Sequence, residues 1–494
     1  MSGQEALGLL MMLVMLGAIF IGVPISFTLL FLGLIFGWIG FGPVVFDLAY
    51  LQTIGMMKVD EFVAVPMFIL MGYVCDQAGL MERMFKAFRD LFAPLRGSLY
   101  LVVITTATLF GIAAGTVGAT VVLLGIMAGP MMTKAGYDIR MSAGAITAGG
   151  TLGILIPPSV MLVVMAPVLG ISILHLYAAA FGPGFLLAGM YIAYTLVRCH
   201  FNPKLGPPVP KEDRPTSMRV VLWECLVGLV PVTILTFATL GVILAGFATS
   251  TEAAAMGAAG AILMVIGYGR FTWRGLLQAC HLTLATTSMV LFLAVTSNIF
   301  GAVFARLGSA TWVAEALIAI PLPPWGTMAL LLTLIFLLGW PFEWPAIVLV
   351  FLPILAPVAT KLGYDMVWFA CVVAVVLQTA FLSPPVAMSA YYLKQAVKNW
   401  SLGDIYRGMA DFMVIQVICV VLVVAFPQIA MWFPNWLTQG ERLKAASVEV
   451  VQPTLLTQSC VSPLDLVGHC ARPDIFRLRV YSAAQQPVHF AHAA

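Results

Sequence analysis

The chain has 494 residues, 62% of them hydrophobic and 9% charged, with a formal net charge of +3. Ordinary soluble domains carry roughly 25% charged residues, so a water-soluble fold is excluded, and so thin and nearly balanced a charge gives no footing for nucleic acid. The eight cysteines form no Cys-Xaa-Xaa-Cys and no histidine pair stands at ligand spacing, so neither a metal site nor a disulfide framework is expected.

Between Glu5 and Asp47 there is no charged residue, which suits two membrane helices over 6–22 and 24–41 that turn near Gly22 and Pro24. No Lys or Arg precedes Lys58, so the basic start of a cleaved signal peptide is missing and none is expected. A third span is predicted over 62–80. It is followed by an amphipathic helix, Met81 to Phe92, with Met81, Met84, Phe85, Phe88 and Phe92 on one face and Glu82, Arg83, Lys86, Arg89 and Asp90 elsewhere, the pattern of a helix lying at a membrane interface. From Gly97 to Thr133 charge is absent, but the glycine-rich centre Gly111 to Thr120 is expected to interrupt the helix. Each arm then has about 13 residues, or about 20 Å, too short for a core of about 30 Å. A re-entrant hairpin over 98–132 fits better than two spans. A helix broken at Pro157-Pro158 follows over 138–171, and spans are expected over 176–198, 221–245, 252–268 and 283–305. A second hairpin is predicted over 326–360, with arms 326–338 and 346–360 around Gly339 to Pro345, then a second broken helix over 366–398 and a last span over 408–433. Residues 438–494 are polar, lack a spanning run and are expected to be a disordered extension.

These elements are ordered by an internal repeat. Thr133, Lys134, Gly136, Tyr137 and Asp138 recur 227 positions later as Thr360, Lys361, Gly363, Tyr364 and Asp365, and Pro157-Pro158 recurs as Pro384-Pro385. Of the 32 positions from 130 to 161, 11 are identical at that offset. Such repeats with proline-broken hydrophobic segments point to a secondary transporter. The expected layout is scaffold helices over 1–61, repeat 1 over 62–200, a connecting loop and scaffold helices over 201–282, and repeat 2 over 283–437. With each broken helix counted as one crossing, five crossings separate the hairpins. An odd number puts them on opposite faces, so the repeat is predicted to be inverted.

The Gly-Tyr-Asp turns read as punctuation, with Gly136 a left-handed cap and Asp138 the N-cap of the next helix. Proline removes a backbone donor and frees carbonyls just upstream, and freed backbone at membrane depth is tolerated only where protein or a wet cavity covers it. Glu343 is an acidic residue in an otherwise apolar run, which marks it as a functional candidate; the plainer reading is that it caps the second hairpin arm or sits at a wet surface. At the repeat offset it corresponds to Thr116, and carboxylate, hydroxyl and freed carbonyl oxygens together suit a small hard cation.

Gly22 to Pro24, Pro66 to Gly72, the hairpin glycines, Gly150 to Ser159 and Phe426 to Gln428 resemble the large membrane subunit of tripartite ATP-independent periplasmic (TRAP) transporters over about residues 6–437. The resemblance implies an all-α polytopic membrane protein, an inverted repeat with two re-entrant hairpins and two broken helices, working as an elevator-type transporter. It implies sodium-coupled import of an organic acid, with Na+ as coupling ion and no other cofactor. The implied partners are a small four-helix membrane subunit and a periplasmic substrate-binding protein, in the bacterial inner membrane. The lack of a Gly-Xaa4-Gly-Lys-Ser/Thr loop agrees with a gradient in place of ATP.

The family's Gly-Ser-Ser hairpin tip corresponds to Gly115, Thr116 and Val117, so one hydroxyl is kept and one lost. Its Gly followed four residues later by Asp corresponds to Gly339 and Glu343, and a serine in the first span of repeat 2 appears as Asn298. The resemblance thus implies Thr116, Asn298, Gly339 and Glu343 for one sodium ion, and Thr151, Ser159, Thr379 and Ser383 for substrate or a second cation. Half-helices starting near Pro158 and Pro385 would aim their positive ends at a carboxylate. A stand-alone anion or dicarboxylate exchanger of related architecture stays open, as does an ion channel, although no symmetric filter sequence is present. A membrane enzyme has the least support, for want of a nucleophile, metal set or acid pair in the spans.

Overall fold

The computed structural model describes residues 2–115, 117–208, 218–384 and 387–439. Among these every regular element is helical, and the chain up to Leu437 forms one compact unit. Eight described helices are long and apolar enough to cross a membrane, or up to ten if each of two bent pairs counts as one span. Thr116, Pro385, Val386 and nearly all of the tail read at 438–494 lie outside the described residues.

Helices α1 (Gly3–Phe20) and α2 (Ile25–Phe41) fill the two predicted N-terminal spans. Ser2 and Glu5 start α1 by each accepting the other's backbone N–H. α3 (Val44–Met57) follows; its 14 residues make only about 21 Å of helix, so a search at spanning length passes over it. α4 (Ala64–Gln77) and α5 (Leu80–Phe92) meet at 59°. Met81, Met84, Phe85 and Phe88 are buried as the periodicity requires. α5 packs against α6 (Ser98–Ala114) and α11 (Met218–Thr236, continued by a π turn to Leu244), so protein shares in covering the face assigned to a membrane interface.

α6 and α7 (Val117–Lys134) form the first hairpin, α8 (Ile139–Leu155) and α9 (Val160–Leu169) the first broken helix, bent by 44°, and α10 (Ile173–Phe201) the next span. The hairpin arms are longer than the sequence reading gave, 17 and 18 residues. The glycine-rich stretch does not unwind at Gly111. A Cβ there would lie 2.6 Å from the Gly153 Cα, and one on Gly153 would lie 2.8 Å from the Gly111 Cα. These glycines let α6 and α8 approach closely, and the helix ends only at Gly115, whose φ is +63°.

After α11 come α12 (Ser250–Gly267), α13 (Trp273–Arg306) and α14 (Ser309–Ala319). α13 has 34 residues, about 51 Å. It starts ten residues before the expected 283, because a charge-free window stops short of Arg274 and His281. The second hairpin is α15 (Pro324–Leu338) and α16 (Trp344–Lys361, with a π turn at Ile347–Phe351), the second broken helix α17 (Met366–Leu382) and α18 (Met388–Ala396), and the following span α19 (Leu402–Ala425). α19 ends at Phe426, before Pro427, which has no N–H to continue the helix, so the single span expected over 408–433 is interrupted.

The repeat has a structural register. α7 and α8 recur at the 227-residue offset as α16 and α17 with identical boundaries. Packing between the copies is reciprocal: α8 lies against α19 and α17 against α10, while α7 meets α18 and α16 meets α9.

Candidate functional site

The turn before each broken helix is built alike. Gly136 and Gly363 have φ of 74° and 78°, Tyr137 and Tyr364 donate their N–H groups to the carbonyls of Met132 and Ala359, and the carboxylates of Asp138 and Asp365 accept from the N–H groups of Met141 and Trp368 at 2.8 and 2.9 Å. These are left-handed C-caps followed by N-caps, so the conspicuous repeated residues are punctuation that sets where α8 and α17 begin.

The breaks use one plan with different donors. The peptide between Pro157 and Pro158 is cis. Upstream, the Ile154 carbonyl accepts the Ser159 hydroxyl. Its counterpart in the second copy, the Phe381 carbonyl, accepts the Ser389 hydroxyl at 2.5 Å. One orphan carbonyl at the end of each half-helix is thus satisfied by a serine, as a buried helix end requires.

Both hairpin tips meet at one cavity of about 290 Å³, open on one side. Gly115 and Val117 to Ala119 reach it from the first tip, Glu343 to Pro345 from the second, and Ile154, Val160 and Met161 from the first break. Phe381, Met388 and Tyr392 come from the second break, and α4 and α13 close the remaining side with Ile69, Tyr73, Thr286, Met289 and Val290. The first residues of four helices, α7, α9, α16 and α18, are among this lining. Each helix start carries unsatisfied N–H groups and about half a positive charge, so the cavity gathers positive potential without a cationic side chain. Such an arrangement receives an anion.

Glu343 is exposed in this cavity. It occupies the N-cap position of α16, yet its side chain makes no capping hydrogen bond, so a helix cap does not describe it, while its exposure agrees with the other plain reading, a wet surface. The other residues singled out from the sequence are placed differently. Thr116 lies outside the described residues, though its neighbours Gly115 and Val117 line the cavity. Gly339 is a contact glycine, since a Cβ on it would stand 2.6 Å from the Ala380 Cβ. Asn298 donates its side-chain amide to the side-chain and backbone oxygens of Gln52 at 2.8 and 3.3 Å, tying α13 to α3, and is not in the cavity lining. Thr151 donates to the Ala148 carbonyl and Thr379 to the Val376 carbonyl. Ser159 is spent on the Ile154 carbonyl, and Ser383 is buried with its hydroxyl unpartnered. Thr379 also borders a second, apolar cavity between α15, α17 and α19.

Sequence reasoning missed the wall opposite the hairpins. Tyr73 and Thr286 share a hydrogen bond of 3.3 Å between α4 and α13, and the Tyr392 ring would be met at 3.3 Å by a Cβ on Gly118. Nothing in local periodicity singles out these residues, because only the fold brings them together. Gln378 was also passed over. It is fully buried with both amide atoms unpartnered, and it is the repeat counterpart of Thr151.

A multi-pass helical chain with two hairpin tips and four helix starts meeting at one cavity is built as a membrane transport protein. The chain belongs to the family described as tripartite ATP-independent periplasmic transporter, DctM component, which it matches over residues 10–429. It is 30% identical over 424 residues to the sialic acid TRAP transporter large permease protein SiaM of Vibrio cholerae, covering 85% of this chain and 96% of that protein. With the C4-dicarboxylate TRAP transporter large permease protein DctM of Rhodobacter capsulatus it shares 29% identity over 456 residues, 88% of this chain and all of the relative. Among solved structures its fold is similar to the YdaH transporter of Alcanivorax borkumensis, with a TM-score of 0.54 at 16% identity over 79% of this chain and 89% of that one. These relatives are permeases of transport systems, not enzymes.

Proposed function

We propose that this chain is the large permease subunit of a complex that takes up an organic carboxylate across the bacterial inner membrane, driven by sodium. The observation that carries the reading is the convergence of four helix N-termini and one carboxylate, Glu343, on a cavity shared by both hairpin tips. The N-termini receive the substrate carboxylate. Glu343 and the carbonyls at the hairpin tips offer the hard oxygens that suit sodium, with Thr116 as the matching hydroxyl of the first tip. Cation and anion then neutralise one another while they cross. Thr379 and Ser383 border the second break and are the side chains through which a second cation or the substrate would be held there.

The halves are read as inverted repeats, and the hairpins with their broken helices as the body that moves past the scaffold in an elevator motion. Reciprocal packing between the copies and the shared 227-residue register support this reading. The family is tripartite, which supports a small four-helix membrane subunit and a periplasmic binding protein as partners. Uptake by proteoliposomes holding the complete complex tests the coupling. Replacing external sodium by choline is expected to abolish accumulation, and undiminished uptake would refute sodium drive.

A further inference from the structure

We infer that the cleft between α5 and α11 holds the headgroup phosphate of an anionic phospholipid from the leaflet facing the cytoplasm. The site is separate from the transport cavity and does not depend on what that cavity carries.

The leaflet follows from where the basic residues gather. One set of helix ends is tied together. Gln77 at the end of α4 donates to the Gly275 carbonyl at the start of α13, and Arg270 beyond α12 pairs with Glu82 of α5. The N–H groups of Gly97 before α6 and Asp138 before α8 donate to the Gly206 and Leu205 carbonyls beyond α10, and Trp400 before α19 donates to Thr133 near the end of α7. All described Lys and Arg except Lys58, Arg306 and Lys361 fall at this end. Loops rich in Lys and Arg stay in the cytoplasm, where the leaflet carries anionic lipid and basic pockets between helices bind its headgroups.

The cleft itself is built. It has a volume of about 280 Å³ and is lined by Arg83 and Lys86 of α5 and by Trp223, Glu224, Val227 and Gly228 of α11. A Cβ on Gly228 would lie 3.6 Å from the Met84 nitrogen, so this glycine brings α11 against α5 at the floor. The Tyr268 hydroxyl donates to the Val227 carbonyl at 3.2 Å, and the Arg83 guanidinium carbon lies 4.4 Å from the centre of the Tyr268 ring. Stacking uses the face of a guanidinium and leaves its edge of N–H donors free for an anion. Among the described residues nothing takes that edge.

Charge bookkeeping singles out the same residue. Every acid on α5 and α11 already has a basic partner: Glu82 has Arg270 at 3.4 Å, Asp90 has Arg89 at 2.8 Å and Glu224 has Lys86 at 3.8 Å. Arg83 is the surplus cation, and one phosphodiester balances it. The Lys86–Glu224 pair is longer than a hydrogen bond and its side chains are 61% and 39% exposed. Such pairs are weak, so Lys86 keeps donors for a second phosphate oxygen.

The surface beside the cleft selects a lipid over a free phosphate. Trp223 is 67% exposed in the second turn of α11, and tryptophan is enriched where a membrane meets water. Leu222, Leu226 and Val230 continue an exposed strip along the same helix. A free phosphate would engage only the cations, whereas a phospholipid engages the cations and lays its acyl chains on the strip.

The test uses the full-length chain in neutral detergent, with native mass spectrometry to measure bound lipid and thermal unfolding as the second readout. The probes are dioleoylphosphatidylglycerol, dioleoylphosphatidylcholine and sn-glycerol 3-phosphate. Phosphatidylglycerol is expected to bind at least about tenfold more tightly than phosphatidylcholine and to raise the unfolding midpoint, while glycerol phosphate does neither. Arg83→Gln is expected to weaken phosphatidylglycerol about tenfold and Trp223→Ala about fivefold. Lys398→Gln, the same change of charge at the same end but beyond α18, should leave binding within about twofold. An equal loss in Lys398→Gln and Arg83→Gln would reduce the effect to the general charge of this face and overturn the site. Glycerol phosphate acting as strongly as phosphatidylglycerol would overturn the lipid, and phosphatidylcholine binding as tightly would overturn the anion preference. Should Arg83→Gln fail to fold, Arg83→Lys keeps the charge and loses the planar fork; a loss of about threefold is expected, and unchanged binding would overturn the role of Arg83.

Discussion

In the first broken helix every buried hydroxyl is paired: Ser142, Thr147, Thr151 and Ser159 all donate to carbonyls of their own segment. In the second, on the same backbone register, Thr379 and Ser389 are paired likewise, but the Gln378 amide and the Ser383 hydroxyl are buried without partners. The hairpin tips differ in the same sense, since Glu343 stands where the first copy has Thr116. The two copies share helix boundaries and differ in polar content. The contrast belongs to the broken helices and tips alone, since Asp76, Thr106 and Tyr191 elsewhere in the first half also have buried oxygens without partners. Buried unpaired groups cost stability unless something binds them, so of the two breaks the second is the one expected to hold the ligand more tightly.

The largest expected effect lies at the tips. Glu343→Gln removes the charge but keeps the shape. Sodium-driven uptake by the reconstituted complex is expected to fall about 100-fold, since contacts to a charged group are worth up to about 3 kcal/mol. Thr116→Ala, at the matching position, is expected to cost no more than about tenfold, the weight of one neutral contact. Equal losses in the two variants would mean that the tips contribute alike and would break the contrast.

Gln378→Leu comes next and has two readouts. Replacing an unpaired buried amide by an apolar side chain of similar size should raise stability by about 1 to 3 kcal/mol, seen as a higher unfolding midpoint of the purified protein. If the amide awaits a ligand, uptake in the same variant falls about tenfold. A stabilised variant with full uptake would make Gln378 a leftover of divergence and leave Glu343 alone to distinguish the second half.

Much of this was legible in the sequence, and the reason is physical. The offset of 227 positions read from the sequence relates the observed boundaries of α16 and α17 to those of α7 and α8, because caps such as Asp138 and Asp365 are local chemistry and stand in the same register, although the arm expected over 346–360 runs over 344–361. Glu343 could be found because a charge in an apolar run is costly wherever it lies. What escaped were features that depend on non-local approach. Gly111 looked like a helix breaker, and only its contact with Gly153 shows why it stays helical. Asn298 was implied as a ligand by the family resemblance, since it stands where the family has a serine and keeps a side-chain oxygen, but which partner its amide bonds depends on α3, a helix of 14 residues. Tyr73, Thr286 and Tyr392 had no local signal, since they become one wall only when α4, α13 and α18 converge.

The smallest expected effect concerns the two serines. Ser159 caps the Ile154 carbonyl from five residues downstream, and Ser389 caps the Phe381 carbonyl from eight. The first copy has Leu162 where the second has Ser389, and the second has Val386 where the first has Ser159. Each copy therefore satisfies the same carbonyl with a hydroxyl that its counterpart lacks, which suits a structural requirement of the break better than a shared ligand. Ser159→Ala and Ser389→Ala should each lower stability by about 1 kcal/mol, read from thermal unfolding in detergent. The double variant should be additive, as expected of sites without shared partners. Substrate affinity should stay within about twofold in both single variants. A selective rise in KM for Ser389→Ala would turn that serine from a cap into a ligand of the second break and sharpen the asymmetry between the halves. A selective rise for Ser159→Ala would move ligand binding into the first break, whose buried hydroxyls are all paired.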